Sequence, residues 1–116
     1  MEYRFGRGYF YNQDCNDIIQ NLHDNSIDLV FTSPPYYNAR EYIQYRDIHD
    51  YMLQMENIFT GVEPILKPSR MCVINISPVI VERKKRNEQS YRIPLPFYFV
   101  PMMEKIGFEF LEESIV

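Results

Sequence analysis

Residues 27–32, Ile-Asp-Leu-Val-Phe-Thr, form a short apolar segment that stops just before two adjacent prolines, Pro34 and Pro35. Apolar residues follow one another here instead of alternating with polar ones, which is typical of a parallel strand buried on both faces. Proline has no N–H to donate to a sheet and cannot continue a strand. The segment therefore predicts a buried parallel strand that ends at Thr32.

The rest of the chain predicts helices and further strands in alternation. Apolar residues at helical spacing predict helices over about 16–23, 47–66 and 95–106. Aromatic and apolar segments predict strands over 8–13, 70–77 and 108–116. This order predicts a single α/β domain over residues 1–116, with a mainly parallel sheet and right-handed crossovers.

The segments between these elements carry cap and turn signals. Asp14 or Asn16 can cap the first helix, because either side chain accepts hydrogen bonds from its exposed amides. Lys67-Pro68-Ser69 predicts a turn. The polar segment from about 78 to 93, with the basic run 83–86 at its centre, is predicted to be a long mobile loop.

The composition is that of an ordinary folded domain. Hydrophobic residues make up 46% of the 116 residues, and no run reaches the roughly 18 apolar residues that a membrane span needs, so we expect a cytoplasmic protein without membrane contact. The two cysteines and two histidines are too few and too scattered to build a metal site. A net charge of -4 disfavours a stand-alone nucleic-acid binder but leaves room for a local basic patch.

Residues 32–36, Thr-Ser-Pro-Pro-Tyr, carry the groups best suited to chemistry. They lie at the carboxyl end of the predicted strand, the edge where open α/β sheets bind ligands. The prolines stiffen the backbone and are expected to leave their carbonyls without local partners, facing a cleft. The tyrosine ring can stack on a flat group while Ser33 and a proline carbonyl accept hydrogen bonds from its amine. Taken alone, Pro-Pro-Tyr also fits a strand-ending turn with a surface tyrosine.

Ser33-Pro34-Pro35-Tyr36 resembles the fourth motif of the DNA amino-methyltransferases, and its surroundings are similar to that family as well. The other similar segments are residues 12–15, 25–29, 65–69, 71–76, 107–108 and 113–116. Gln13 departs from the pattern, since the family usually has glycine there. The resemblance implies a partial Rossmann-like methyltransferase sheet. It also implies an enzyme of the restriction–modification kind that moves a methyl group from S-adenosylmethionine to an exocyclic amine in DNA.

The resemblance assigns roles to individual residues. It implies that the catalytic residues are Ser33, Pro34, Pro35 and Tyr36. It implies that the cofactor contacts are Asp14, Thr32 and Ser33. From their charge and position, Arg40 and the basic run Arg83, Lys84, Lys85 and Arg86 are candidate contacts to DNA phosphates. Helix capping remains the alternative for Asp14, a surface ion pair for Arg40, and a solvated loop for the basic run.

The expected mechanism begins with a base that flips out of the duplex, because the target amine is otherwise inside it. Hydrogen bonds to Ser33 and to the Pro34 carbonyl favour a more tetrahedral amine, whose lone pair then attacks the methyl group. Tyr36 stacks on the flipped base. Serine at the first motif position is more typical of cytosine enzymes, which favours N4 of cytosine over N6 of adenine as the target.

The chain lacks the glycine-rich turn with which the family holds the methionine part of the cofactor. Gly6-Arg7-Gly8 is the one close glycine pair, and it does not follow a buried strand. In the family's beta group the Pro-Pro-Tyr half comes first, so we interpret the chain as an amino-terminal portion, a truncation or one part of a split enzyme. We expect it to need a glycine-rich half, on another chain or in a missing segment. Alone, it should bind S-adenosylmethionine weakly and lack activity, with self-association to a homo-oligomer as an alternative.

Two non-enzymatic hypotheses remain open from the sequence. One is an inactive remnant that contacts nucleic acid through its basic run, and the other is an assembly subunit that completes a partner chain.

Overall fold

The computed structural model describes residues 2–35, 47–81 and 85–112. Within these ranges the elements are β1 (Glu2–Phe5), β2 (Gly8–Tyr11), α1 (Cys15–Ile19), β3 (Ile27–Thr32), α2 (Ile48–Ile65), β4 (Leu66–Ile74), β5 (Val79–Val81), β6 (Tyr91–Ile93) and α3 (Leu95–Ile106). The strands form three separate pairs: β3–β4 is parallel, whereas β1–β2 and β5–β6 are antiparallel. The described part of the chain is therefore mixed α/β, and the predicted parallel pairing is restricted to β3 and β4.

Helix α2 carries the chain from β3 to β4, and both of its ends are capped. At its start the carboxylate of Asp47 accepts a hydrogen bond of 2.8 Å from a backbone N–H in the first turn. At its end two consecutive turn residues, Asn25 and Ser26, donate their N–H groups to the last two carbonyls of the helix at 3.0 and 2.9 Å. Such carbonyls have no donor within a helix. The turn that leads into β3 therefore also completes α2 and fixes the two elements together.

The core lies between α2 and α3. Its buried residues recur at helical spacing along each helix, and Leu66 at the start of β4 joins them. The helical ones are Tyr51, Met55, Phe59, Val62, Leu95, Phe99 and Met102. The ring of Phe99 meets those of Tyr51 and Phe59 edge-on, with centroid distances of 6.3 and 6.1 Å. The sequence prediction of these two helices is confirmed. In the described ranges none of the helices is both long and apolar enough to cross a membrane.

The parallel pair β3–β4 is covered on one face only. Val30, Cys72 and Ile74 pack towards α2 as part of the core surroundings. On the opposite face Leu29 is 56% exposed and Phe31 is 68% exposed. The prediction that this strand is buried on both faces is wrong for the chain as described, because none of the described elements packs against the second face.

The pairing of β3 with β4 contains a shift in register. Ile27 pairs with Leu66, but Leu29 pairs with Met71, so extra residues bulge out of β4. Ser69 lies in this bulge with a φ of 63°, so the segment 67–69, predicted to be a turn, is instead an irregular part of strand β4. Bulges bend a strand and interrupt its hydrogen-bond ladder.

An ion pair braces the bulge against β3. The Lys67 ammonium contacts the Asp28 carboxylate at 2.9 Å, and the Arg70 guanidinium lies 3.6 Å from the same oxygen. The hydrogen bond and the charge of Lys67 lower the pKa of Asp28 below its ordinary value, and Arg70 acts in the same direction. All three side chains remain exposed, so the pair orients the bulge and adds little to stability.

The structure differs from the predicted long loop at both of its ends. Val79–Val81 and Tyr91–Ile93 pair as the antiparallel strands β5 and β6. The valine and isoleucine residues of β5 are β-branched and favour extended backbone. The loop is therefore shorter than the segment 78–93, and Lys85 and Arg86 lie within it as exposed residues.

The predicted strand over 108–116 is not formed where the structure describes it. Gly107 ends α3 with a φ of 128°, and the N–H of Phe108 turns back to the carbonyl of Met103 at 3.0 Å. Residues 108–112 then run without pairing to any described strand. An extended segment becomes a strand only by pairing, and residues 113–116 lie outside the described ranges.

Replacing Phe59 by alanine should destabilise the protein strongly. The ring is 2% exposed, so Phe59→Ala leaves a cavity between α2 and α3 and should lower the free energy of unfolding by about 3 kcal/mol. Urea denaturation followed by circular dichroism measures this. The matched control is Leu53→Ala on the same helix, where the side chain is 50% exposed and the loss should stay below about 1 kcal/mol. Equal losses in both variants would contradict the α2–α3 core.

Candidate active site at the end of the parallel strand pair

The carboxyl ends of β3 and β4 meet at one edge because the two strands are parallel. Ser33 follows β3 and Asn75 follows β4 at this edge. The N–H of Asn75 donates to the carbonyl of Thr32 at 2.8 Å, which continues the ladder beyond the strands. The side-chain amide of Asn75 donates to Ser33 Oγ at 3.2 Å. The hydroxyl of Ser33 is thereby held at the open end of the sheet, in an exposed position.

Residues 33–35, which form the described part of the proline loop after β3, are attached to the core by a second contact. The hydroxyl of Tyr51, which is fully buried, donates to the carbonyl of Pro35 at 2.6 Å. The expectation that both proline carbonyls lack local partners is therefore wrong for Pro35, since the core helix α2 supplies a donor. Among the described residues no donor reaches the carbonyl of Pro34, and the residue itself is buried. The Ser33 hydroxyl is thus the exposed polar side-chain group in the described part of the loop.

A cleft of about 490 Å³ opens beside the proline loop. It brings Asp14 next to Pro35, two of the residues that the sequence assigned to the site. The remaining lining residues are Cys15 and Asn16 of α1 and Leu53, Gln54, Met55, Asn57 and Ile58 of α2. The cleft is therefore lined by residues from the start of α1, from α2 and from the loop that follows β3.

Asp14 caps helix α1. One of its carboxylate oxygens, Oδ1, accepts a hydrogen bond of 2.9 Å from the N–H of Asn16, which confirms the capping prediction. The same side chain borders the cleft, so capping and ligand contact are compatible roles for it. Its assignment to a cofactor stays a prediction.

Neither cysteine has the properties of a nucleophile. Burial in the sheet raises the pKa of Cys72 to about 11, so its thiol stays protonated at neutral pH. Burial and the charge of Asp14 likewise raise the pKa of Cys15, which borders the cleft. Chemistry through a covalent cysteine intermediate is thus disfavoured. In the part of the chain that the structure describes, no group of three acidic, cysteine or histidine residues is placed to hold a metal ion.

The four glycines all have structural places outside the cleft. Gly6 adopts a φ of 59° in the tight turn between β1 and β2, where a side chain would be strained. Gly8 lies in β2, Gly61 lies within α2, and Gly107 ends α3. None of them forms a turn between a parallel strand and a helix, so the site offers no glycine cradle for the methionine end of S-adenosylmethionine.

Several predicted site residues lie outside the described ranges. They are Tyr36, Arg40, Arg83 and Lys84. Lys85 and Arg86 are described and exposed, and neither lines the cleft. The structure therefore places Asp14 and Pro35 on one cleft and Ser33 two residues before Pro35, at the edge of the β3–β4 pair, and it leaves the predicted DNA contacts as predictions.

The fold matches solved structures of a bacterial protein. TTHA0409 of Thermus thermophilus, assigned as a DNA modification methylase, superposes with a TM-score of 0.70 at 24% identity, over 84% of this chain and 39% of that one. A structure of the same protein in complex with S-adenosyl-L-methionine gives a TM-score of 0.68 at 25% identity, over 83% of this chain and 38% of that one. The described α/β arrangement is thus similar to a part of the fold of that protein.

Sequence comparison places the chain in a family. Residues 27–116 match the N6/N4 methyltransferase family, described as DNA methylase. The type II beta methyltransferase M.BslI of Bacillus sp. (strain NEB-606) is 34% identical over 113 residues, which are 95% of this chain and 12% of that protein. The type II methyltransferase M.BglII of Bacillus subtilis is 30% identical over 97 residues, which are 84% of this chain and 25% of that protein. The chain belongs to the DNA methylase family, and it spans a quarter or less of the length of these two relatives.

Sequence reasoning missed Tyr51 and Asn75. Tyr51 follows the helical apolar pattern and its hydroxyl gave no separate signal. Asn75 did give a signal in the sequence. It is a polar residue near the end of the strand predicted over 70–77, where it interrupts an apolar run. Its partner lies 42 residues away in the sequence and becomes identifiable only from the strand pairing.

Removing the Tyr51 hydroxyl should weaken the attachment of the proline loop, while the aromatic ring still fills its place in the core. Tyr51→Phe keeps the ring and deletes one donor to Pro35, so the free energy of unfolding should fall by about 1 kcal/mol. Thermal denaturation measures this, with Tyr98→Phe as the control because Tyr98 is on the exposed side of α3. If both variants melted at the same temperature as the parent, the hydrogen bond between Tyr51 and the loop would make no contribution to stability.

Proposed function

We propose that this chain is the catalytic-motif part of a DNA methyltransferase that transfers a methyl group to an exocyclic amine, N4 of cytosine by preference. The observation that carries the proposal is the exposed Ser33 hydroxyl, held by Asn75 at the carboxyl edge of β3 and β4, directly before Pro34 and Pro35. Membership of the DNA methylase family supports the same activity. N6 of adenine is the alternative target, and serine at the first motif position favours cytosine.

The site residues act on the amine of the target base. Once the base has left the duplex, its amine donates one N–H to Ser33 Oγ and the other to the Pro34 carbonyl. Two acceptors on the same nitrogen draw it towards tetrahedral geometry and free its lone pair from the ring. Tyr36 stacks on the flipped base, and no covalent enzyme intermediate is formed, consistent with the raised pKa of Cys72.

S-adenosylmethionine supplies the methyl group when it is bound. Asp14, Thr32 and Ser33 are proposed to contact it, and the cleft beside Asp14 supports this for one end of the cofactor. The other end has no cradle among the described residues, because each glycine is used elsewhere. The chain alone is therefore expected to hold the cofactor weakly.

Phosphate contacts are proposed for Arg40 and for the basic run Arg83, Lys84, Lys85 and Arg86. The exposure of Lys85 and Arg86 on the segment between β5 and β6 supports this for the run. Cationic side chains that neutralise phosphates strengthen DNA binding in a salt-dependent way and carry no base specificity. DNA is thus proposed as a partner even though the net charge of the chain is negative.

A glycine-rich methyltransferase half is proposed as the second partner, in the same polypeptide or on another chain. Among the described residues, β3 exposes Leu29 and Phe31 on a face that none of the described elements covers. The apolar face of β3 and the exposed aromatic hairpin β1–β2 are the surfaces that such a half would cover.

The first test of the function replaces Ser33. Ser33→Ala in the methyltransferase that contains this chain should reduce methyl transfer at least about a hundredfold, since an acceptor aligned with the reacting amine is lost. Transfer of tritium-labelled methyl groups to DNA measures the rate. The control is Ser26→Ala, which removes an exposed hydroxyl that donates to the His23 carbonyl at 2.6 Å, away from the site. Near-parental turnover of Ser33→Ala would refute the site, and DNA binding without any transfer by the parent would favour the inactive binding subunit.

The second test concerns the missing half. The 116-residue chain alone should self-associate or unfold readily and transfer no methyl groups, and adding a glycine-rich half should restore transfer. Phe31→Asp should weaken the self-association of the chain at least about tenfold, because it places a charge on the apolar face of β3. Sedimentation velocity measures association, with Phe97→Asp on the exposed side of α3 as the control. A stable monomer that methylates DNA unaided would overturn the need for a partner.

A further inference from the structure

We propose that Asn75 is a positioning residue that fixes the hydroxyl of Ser33 for catalysis. The inference rests on the proposed function, because it concerns the same site. Asn75 makes two hydrogen bonds across the end of the strand pair, one from its backbone to Thr32 and one from its side chain to Ser33 Oγ. The first extends the sheet, and the second has no part in holding the sheet together.

The side-chain contact restricts where the Ser33 oxygen can be. A serine side chain has three staggered rotamers, and on an exposed loop all three are accessible. Only a rotamer that points towards β4 places Oγ within 3.2 Å of the Asn75 amide. Asn75 therefore selects one position for the oxygen before the substrate arrives.

The direction of the hydrogen bond leaves Ser33 able to accept from the substrate. A hydroxyl oxygen has two lone pairs and one proton. The Asn75 amide occupies one lone pair, and the other remains for an N–H of the target amine. The oxygen is held at the sheet edge by Asn75, so its position as an acceptor is fixed before the amine arrives.

The positioning role of the Asn75 side chain can be tested apart from a structural role, because the backbone of Asn75 makes its own hydrogen bond. Replacing the side chain leaves the N–H that donates to Thr32 at 2.8 Å, so the pairing of β3 with β4 is retained. Asn75 is also exposed, so its replacement leaves no cavity in the core. A loss of activity in Asn75→Ala would accordingly come from the freed Ser33 hydroxyl.

The test is a double-mutant cycle in the methyltransferase that contains this chain, followed under single-turnover conditions with tritium-labelled S-adenosylmethionine. Asn75→Ala should lower the transfer rate roughly three- to tenfold, with the KM for DNA changed less than about twofold. In the Ser33→Ala background the same change should have no further effect, because there is no hydroxyl left to position. Asn21→Ala is the control: it removes another exposed side-chain amide, one that donates to the Asp17 carbonyl at 2.8 Å in α1.

Equal losses in the two backgrounds would overturn the proposal, since the effect would then not pass through Ser33. An unchanged rate in Asn75→Ala would overturn it as well. An inactive parent, or a fully active Ser33→Ala, would instead count against the proposed function.

A spectroscopic measurement tests the contact independently of activity. The side-chain amide protons of Asn75 should shift in the ¹⁵N-correlated NMR spectrum when Ser33 is replaced by alanine, whereas those of Asn21 should not. Unshifted Asn75 signals would show that the hydrogen bond is not made and would refute the positioning role even in an inactive protein.

Discussion

The parallel pairing of β3 with β4 is the constraint on which the rest of the structure depends. Parallel strands cannot be joined by a tight turn, so the chain needs a long crossover, and α2 provides it. The crossover packs on one face of the pair and forms the core with α3. The pairing also brings two carboxyl ends to one edge, which is why Ser33 and Asn75 meet although they are far apart in the sequence.

The candidate site is connected directly to the core. Tyr51 contributes its ring to the packing between α2 and α3 and its hydroxyl to the proline loop. The loop is therefore held by one donor from the core helix and by two donors from Asn75 at the end of β4. Anchoring of this kind limits the conformational freedom that the Ser33 hydroxyl has to lose on binding, which suits its proposed role in catalysis.

The uncovered face of the β3–β4 pair bears on the proposed need for a second half. A parallel sheet is ordinarily covered on both faces. Here one face of β3 leaves Leu29 and Phe31 exposed, and β2 pairs with β1 instead of joining the sheet of β3. The need for a glycine-rich half that completes the sheet stays a prediction. The uncovered face of β3 and the separate β1–β2 pair are the described features that favour it.

Local patterns determined where the elements lie. The apolar run 27–32, the helical spacing of the two long helices and the stop at Gly107 each depend on residues close together in the chain, and the structure places β3, α2 and α3 as predicted. The proline motif likewise identified the candidate site, because prolines end a strand whatever surrounds it. Tertiary structure alone decided which faces were covered, whether residues 108–112 paired, and which donors reached Ser33 and Pro35. Those outcomes depend on contacts between distant segments, and a single sequence does not show which distant segments meet.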